Sequence, residues 1–221
     1  MRLLHSYMMA SMARNAPVGG PQPILIVDDI LPHLSTLPQI LDKSVAACHF
    51  DLSSSYEHAQ DQIRTKRYHA VLSNVRYAAM RNFSLIDLNQ SFQPSTQFIV
   101  TASQKEGELA SEALKRSSVD LITTPFDEHE ATAVVQIALW LYQLRRTIEH
   151  KEERLAVLRR QREMLSRILP HDLERAQDVE RDLRSEGKSL DLLIGAARKL
   201  AQGSHQRAWA TLHSLLKKSQ S

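Results

Sequence analysis

The chain has 221 residues and a net charge of +3; 43% of its residues are hydrophobic, 24% charged and 5% aromatic. Those proportions suit a globular chain with one good-sized core and an appendage, and they exclude disordered and collagen-like polymers. One cysteine, Cys48, allows no internal disulfide, and no apolar run reaches the ~18 residues that span a bilayer, so a cytoplasmic, membrane-free setting is expected.

Residues 1–21 read as a disordered leader, with Met9 and Met12 as alternative starts. Its apolar patch is broken by His5 and Ser6, and no A-x-A cleavage site follows. From 22 to 127, short apolar runs alternate with amphipathic helical patterns. "PILIVDD" (23–29), "HAVLSNV" (69–75) and "TQFIVTA" (96–102) read as buried strands, with "ACHFDL" (47–52) and "DLITTPF" (120–126) as weaker ones. Helices are expected over 33–42, 55–67, 83–91 and 106–117. Five such units predict an α/β, flavodoxin-like doubly wound sheet of five parallel strands. Its functional crevice would lie at the carboxyl ends of the central strands.

From 128 to 169 the period changes. There is no Pro or Gly, and positions 137, 141, 144, 148, 151, 155, 158, 162, 165 and 169 follow a heptad. Eight of these ten are apolar: Ile137, Leu141, Leu144, Ile148, Leu155, Leu158, Leu165 and Leu169; Lys151 and Arg162 interrupt them. The pattern predicts one long coiled-coil helix whose outer stripe needs a partner. That partner is either a second copy, giving a homodimer, or the tail folding back. Pro170 then opens a tail over 170–221 with short helices expected at 171–184, 190–202 and 205–218.

Charge divides the chain. Residues 1–144 carry 11 Lys/Arg and 14 Asp/Glu, a balance of −3, while 145–221 carry 17 and 11, a balance of +6. The basic tail keeps nucleic acid open as an alternative partner, with 190–202, Gly203 and 205–218 as a helix-turn-helix in a DNA-binding regulator. No P-loop, nucleophile elbow or dinucleotide motif is present, so no enzymatic activity is expected.

Three strand ends point chemistry into the expected crevice: Asp28 and Asp29, Asn74, and Thr101. With Thr124-Pro125 after the fifth strand, these residues resemble the receiver domain of two-component response regulators. "ILIVDD", "AVLSNV" followed by Arg76, "FIVTA" and "DLITTPFD" match its landmarks in order and spacing. The resemblance implies a Mg²⁺ site at Asp28 and Asp29, a phosphoryl-gripping hydroxyl at Thr101, and Pro125 after the position of an essential lysine. It also implies partners such as a histidine kinase or a downstream effector.

Three positions depart from that pattern. The nucleophilic aspartate is Asn74, the lysine is Thr124, and the rotatable aromatic is Leu121. A carboxamide is a poor nucleophile towards phosphorus, and with one carboxylate fewer the site should bind Mg²⁺ weakly at best. The expectation is a pseudo-receiver with no resident cofactor. His171 in "HDLERA" resembles the phosphorylatable histidine of histidine kinases, but Ala176 stands where a Thr or Asn is usual; it reads as a solvated helix-start residue.

Overall fold

The structure, a computed structural model, describes residues 21–45, 47–116, 119–168 and 173–217. Residues 1–20 of the expected leader (1–21), the Leu165 side chain, Leu169 and His171 lie outside the described residues. Five strands form one sheet: β1 (Gln22–Val27), β2 (Cys48–Ser53), β3 (Ala70–Asn74), β4 (Gln97–Ser103) and β5 (Val119–Thr124). All neighbours are parallel, in the order β2-β1-β3-β4-β5. The strand order reverses between β1 and β3, which places a crevice at their carboxyl ends.

The connecting helices are α1 (Leu31–Ser44), α2 (Tyr56–Thr65), α3 (Val75–Phe92) and α4 (Gly107–Leu114), the last after a 3₁₀ turn, Gln104–Glu106. Local chemistry sets their starts. Ser55 Oγ accepts from His58 N at 3.2 Å, and Glu106 Oε2 accepts from Ser103 N at 2.7 Å, so an otherwise free backbone amide is satisfied at each of these two starts. Helix α3 begins eight residues earlier than its apolar pattern suggested. It is broken at Arg81, Asn82 and Phe83, which hold φ of 50°, 57° and 62°. The guanidinium of Arg81 lies over the Tyr56 ring at 4.9 Å and that of Arg116 over Phe83 at 4.9 Å, bracing this left-handed segment.

The buried strands split their side chains between two cores, as period-2 alternation requires. One holds Leu25, Val71, Phe98 and Leu121 against α2, α3 and α4. The other holds Ile24, Ile26, Leu72, Ile99 and Ile122 against α1 and the start of α5 (Glu128–Ile168). Helix α5 starts beside Asp127, whose Oδ1 accepts from Glu130 N at 2.8 Å. It buries Ala131, Val134, Val135, Ala138 and Leu139 on the sheet and then runs past it, about 60 Å in all.

The tail is one continuous helix, α6 (Leu173–Lys217), not three short ones. Gly203 and Ser204 do not break it, because nothing next to Gly203 demands a turn and the flanking residues are good helix formers. The turn at Gly203 that the alternative helix-turn-helix (190–202 and 205–218) would need is not seen; the described residues run through it as helix. Helix α6 folds back along α5 as an antiparallel hairpin, the second of the two alternatives for the heptad stripe. Leu141 and Leu155 are buried within the single chain, while Ile137, Leu144, Ile148 and Leu158 are half-buried. The two charged stripe residues find acids on α6: Lys151 Nζ lies 2.6 Å from Glu186, and Arg162 lies 3.4 Å from Glu180. Part of the seam on which a homodimer was expected is thus covered inside the chain.

The far end of α6 returns to the sheet beside α4 and β5. Ala208 and Leu212 enter the first core, and buried Ser204 and half-buried Arg207 meet Asp120 of β5. This covers a strand that would otherwise be an open edge. Among the described residues no helix is long and apolar enough to cross a membrane.

Candidate functional site

The crevice at the strand ends brings together Asp28, Asn74 and Thr101, each almost fully buried, with His33 of α1 and Phe126 after β5. The space between them admits no water-sized sphere. Asp28 follows β1 directly and has both oxygens engaged. Oδ1 accepts from Ile30 N at 2.9 Å; Oδ2 meets His33 Nδ1 at 2.9 Å and Asn74 Nδ2 at 3.4 Å. The His33 ring packs edge-on to Phe126 at 5.0 Å and closes the crevice on that side.

Asn74 ends β3 and caps α3. Its Oδ1 accepts from Arg76 N at 3.0 Å, the arrangement that makes asparagine one of the best N-cap residues. The Arg76 side chain then reaches across the crevice mouth. Its Nε lies 3.3 Å from Asn74 Oδ1 and 3.2 Å from Glu106 Oε1, and its Nη2 donates to Asp29 Oδ1 at 2.9 Å. Glu106 is fixed in turn by Ser103, whose Oγ donates to its Oε2 at 2.7 Å. One guanidinium therefore ties the ends of β1, β3 and β4 together.

These contacts decide how the acids fit the divalent cation that a receiver would imply. A hard cation needs several free oxygens converging on one point. Here the Asp28 oxygens and Asn74 Oδ1 already accept from the chain, Asp29 is paired with Arg76, and the positive charge is a side chain. The residues as arranged do not fit a divalent ion. Among the described residues no group of three His, Cys, Asp or Glu side chains is disposed to hold a metal.

The other positions separate. Thr101 Oγ1 is buried with no hydrogen-bond partner, facing the crevice. Thr124 lies at the half-buried end of β5 before a cis peptide to exposed Pro125. Leu121 is not at the crevice; it is buried in the core with Ala110 and Ala113 of α4. Sequence reasoning missed His33, Arg76 and Glu106 as members of the site. Their signal was positional: His33 sits in the first turn after the acids, and Arg76 two residues after Asn74, where a helix start presents its free groups.

No family model matches the chain. Over 119 residues, 52% of this chain, it is 29% identical to the transcriptional regulatory protein ZraR of Escherichia coli K12, and it matches the same protein of Escherichia coli O157:H7 equally well. The match covers 26% of those proteins, so the chain spans about a quarter of the length of the curated relatives it matches. Among solved structures it is similar to the signal receiver domain of an HD domain-containing protein from Pseudomonas fluorescens Pf-5, with a TM-score of 0.53 and 20% identity over 60% of this chain and 96% of that one. It is also similar to an adenylate cyclase from Rhodopirellula baltica (TM-score 0.52, 19% identity, 59% of this chain and 96% of that one). Full-length FixJ from B. japonicum matches with a TM-score of 0.50 and 18% identity over 90% of this chain and 99% of that one. The sheet domain has the fold of response-regulator receiver domains.

Proposed function

We propose that this receiver-fold chain is a signalling protein that works through protein contact and not through phosphoryl transfer. The observation that carries the reading is the state of Asn74. Its amide caps α3, donates to Asp28, and accepts from Arg76, whose guanidinium also pairs with Asp29 and Glu106. An amide oxygen so engaged has no anionic lone pair to attack phosphorus, and an acyl phosphate cannot form from it. Arg76 supplies a permanent counter-charge to the acids, which supports weak Mg²⁺ binding at best.

On this reading the chain has no catalytic group of its own, and its partners are signalling proteins: a histidine kinase, a downstream effector, or a second copy. The α5–α6 hairpin, rooted in both cores, is the arm through which contact at the sheet domain reaches other proteins.

The test is incubation of the full chain with Mg²⁺ and acetyl phosphate, followed by intact-mass measurement. The mass should not change. One added phosphoryl group, at Ser73 or any other residue, overturns the reading, as does a beryllium fluoride adduct seated beside Asn74 in a crystal.

A further inference from the structure

Towards its tip the hairpin opens into a cleft of about 570 Å³ between α5 and α6. The floor is apolar, formed by buried Leu155 and half-buried Leu183, and it widens at Gly187, where a Cβ would meet nothing within 4 Å. The rim is basic, with Arg159, Arg162 and Arg184 against Glu163.

Neighbouring acids do not neutralise that rim. Glu180 is shared between Arg162 at 3.4 Å and Arg184 at 3.5 Å. Glu186, at the inner end, is shared between Lys151 at 2.6 Å and Arg154 at 3.3 Å. Lys151, Arg154, Arg159, Arg162 and Arg184 are five bases facing three acids, Glu163, Glu180 and Glu186, an excess of two positive charges. Arg159 is exposed.

We propose that this cleft is a docking groove for the acidic face of an amphipathic helix from a partner protein. Shape argues for a helix. Two antiparallel helices leave a groove parallel to their axes, and a third helix fills such a groove at the usual 8–10 Å spacing. Apolar side chains of the incoming helix would pack on Leu183 and occupy the space above Gly187. Its carboxylates would meet Arg159 and the two arginines that share Glu180, in the bidentate geometry that guanidinium favours.

Charge and shape argue against the other occupants. A second copy of the cleft would bring Arg159 and Arg162 against their own kind. An anionic bilayer is too flat to enter the space above Gly187 between the two helices. The proposal rests on nothing in the Asn74 crevice, so the two readings stand or fall separately.

The experiment uses the full chain and two labelled peptides of about 20 residues, long enough to span the groove. Both carry the same leucine face; one carries glutamate on its other face, the other lysine. Fluorescence anisotropy should show the glutamate peptide binding at least about tenfold more tightly, because charge complementarity sets partner choice. Replacing Arg159 and Arg184 together by Glu should reverse that order. Gly187→Leu should weaken the glutamate peptide about tenfold by filling the groove while circular dichroism stays unchanged.

Equal affinity for the two peptides, or none for either, overturns the proposal on the wild-type chain alone, whatever the variants do. Self-association of the wild type that Arg159→Glu abolishes would assign the cleft to a second copy and overturn it. Retention on phosphatidylglycerol vesicles that the same change abolishes would assign it to lipid, with the same consequence.

Discussion

Arg207 and Asp120 meet where the tail returns to the sheet: the guanidinium Nη2 lies 2.7 Å from the carboxylate Oδ2, and the Ser204 hydroxyl donates to the same oxygen. Asp120 is 1% exposed, and its charge is tolerable because these two donors meet Oδ2 while Leu121 N donates to Oδ1 at 2.9 Å. Next to them, Ala208 and Leu212 sit in the core beneath α4. The turns of α6 around Ser204–Leu212 are therefore packed onto the receiver-fold domain and cover the face formed by α4 and β5.

Arg207→Ala should expose how firmly that face is covered. It leaves a buried carboxylate with two neutral donors, Ser204 Oγ and Leu121 N, and breaking a buried pair in this way costs about 3 kcal/mol. Urea unfolding should report a loss of that order. Hydrogen exchange should accelerate over 200–212 before it does in β1 or β3. Unchanged protection of that segment would mean that the ion pair does not hold the tail.

Asn74→Asp tests the crevice from the other side. Asp is an equally good N-cap, so α3 should keep its start. The donor to Asp28 at 3.4 Å disappears, however, and two carboxylates then face each other. The variant should be about 1 kcal/mol less stable than the wild type at pH 7. Like-charge contact raises a carboxyl pKa in the folded state, so the deficit should shrink as pH falls into the carboxylate range. Added Mg²⁺ should stabilise the variant and leave the wild type unchanged; a wild-type melting temperature that climbs with Mg²⁺ would contradict the geometry around Arg76.

The sheet was legible in the sequence because its strands are continuous apolar runs such as "ILIV" and "FIVTA", buried on both faces. The heptad over 137–169 was equally plain, but the identity of its partner was not. A stripe of leucines looks the same whether a second copy or the same chain covers it. The information lay in Lys151 and Arg162, which break the stripe and pair with Glu186 and Glu180 on α6. The continuity of α6 was hidden by Gly203 and Ser204, a pair that can end a helix and here does not; Ser204 instead donates to Asp120. The crevice acids could be found from strand ends alone. Arg76 could not be placed there, since its reach across three strands exists only after the sheet has formed.

His69 gives the fold a pH dependence with a definite sign. Its ring stacks on Tyr142 of α5 at 4.0 Å, and its Nδ1 is buried without a partner. Burial holds its pKa below the ordinary 6.5. The unfolded chain therefore takes up a proton near 6.5 while the folded chain resists it. Stability is complete above that value and is lost as pH falls from 6.5 towards the folded value. Asp51, whose pKa is lowered by hydrogen bonds from Lys66 and Tyr68, acts only in a separate window below 3.8. His69→Phe keeps the stack and removes the titration, so its melting temperature should fall less than the wild type's between pH 7.5 and 5.5. Identical slopes would place the pH dependence elsewhere.

Gly195 and Gly203 lie inside α6, and a Cβ at either would meet nothing within 4 Å. Neither needs a left-handed backbone, so each is simply a poor helix former without a packing reason. Gly195→Ala and Gly203→Ala should each stabilise the chain by about 0.5–1 kcal/mol, and at eight residues, or ~12 Å, apart the gains should add. Urea midpoints of the two single variants and the double variant check this. The sign at Gly203 carries further weight. If alanine there lowers stability, the helix is not continuous through Gly203 in solution. The tail would then have the freedom to turn at that point, and the contact between Arg207 and Asp120 would have to be made by a separate short helix.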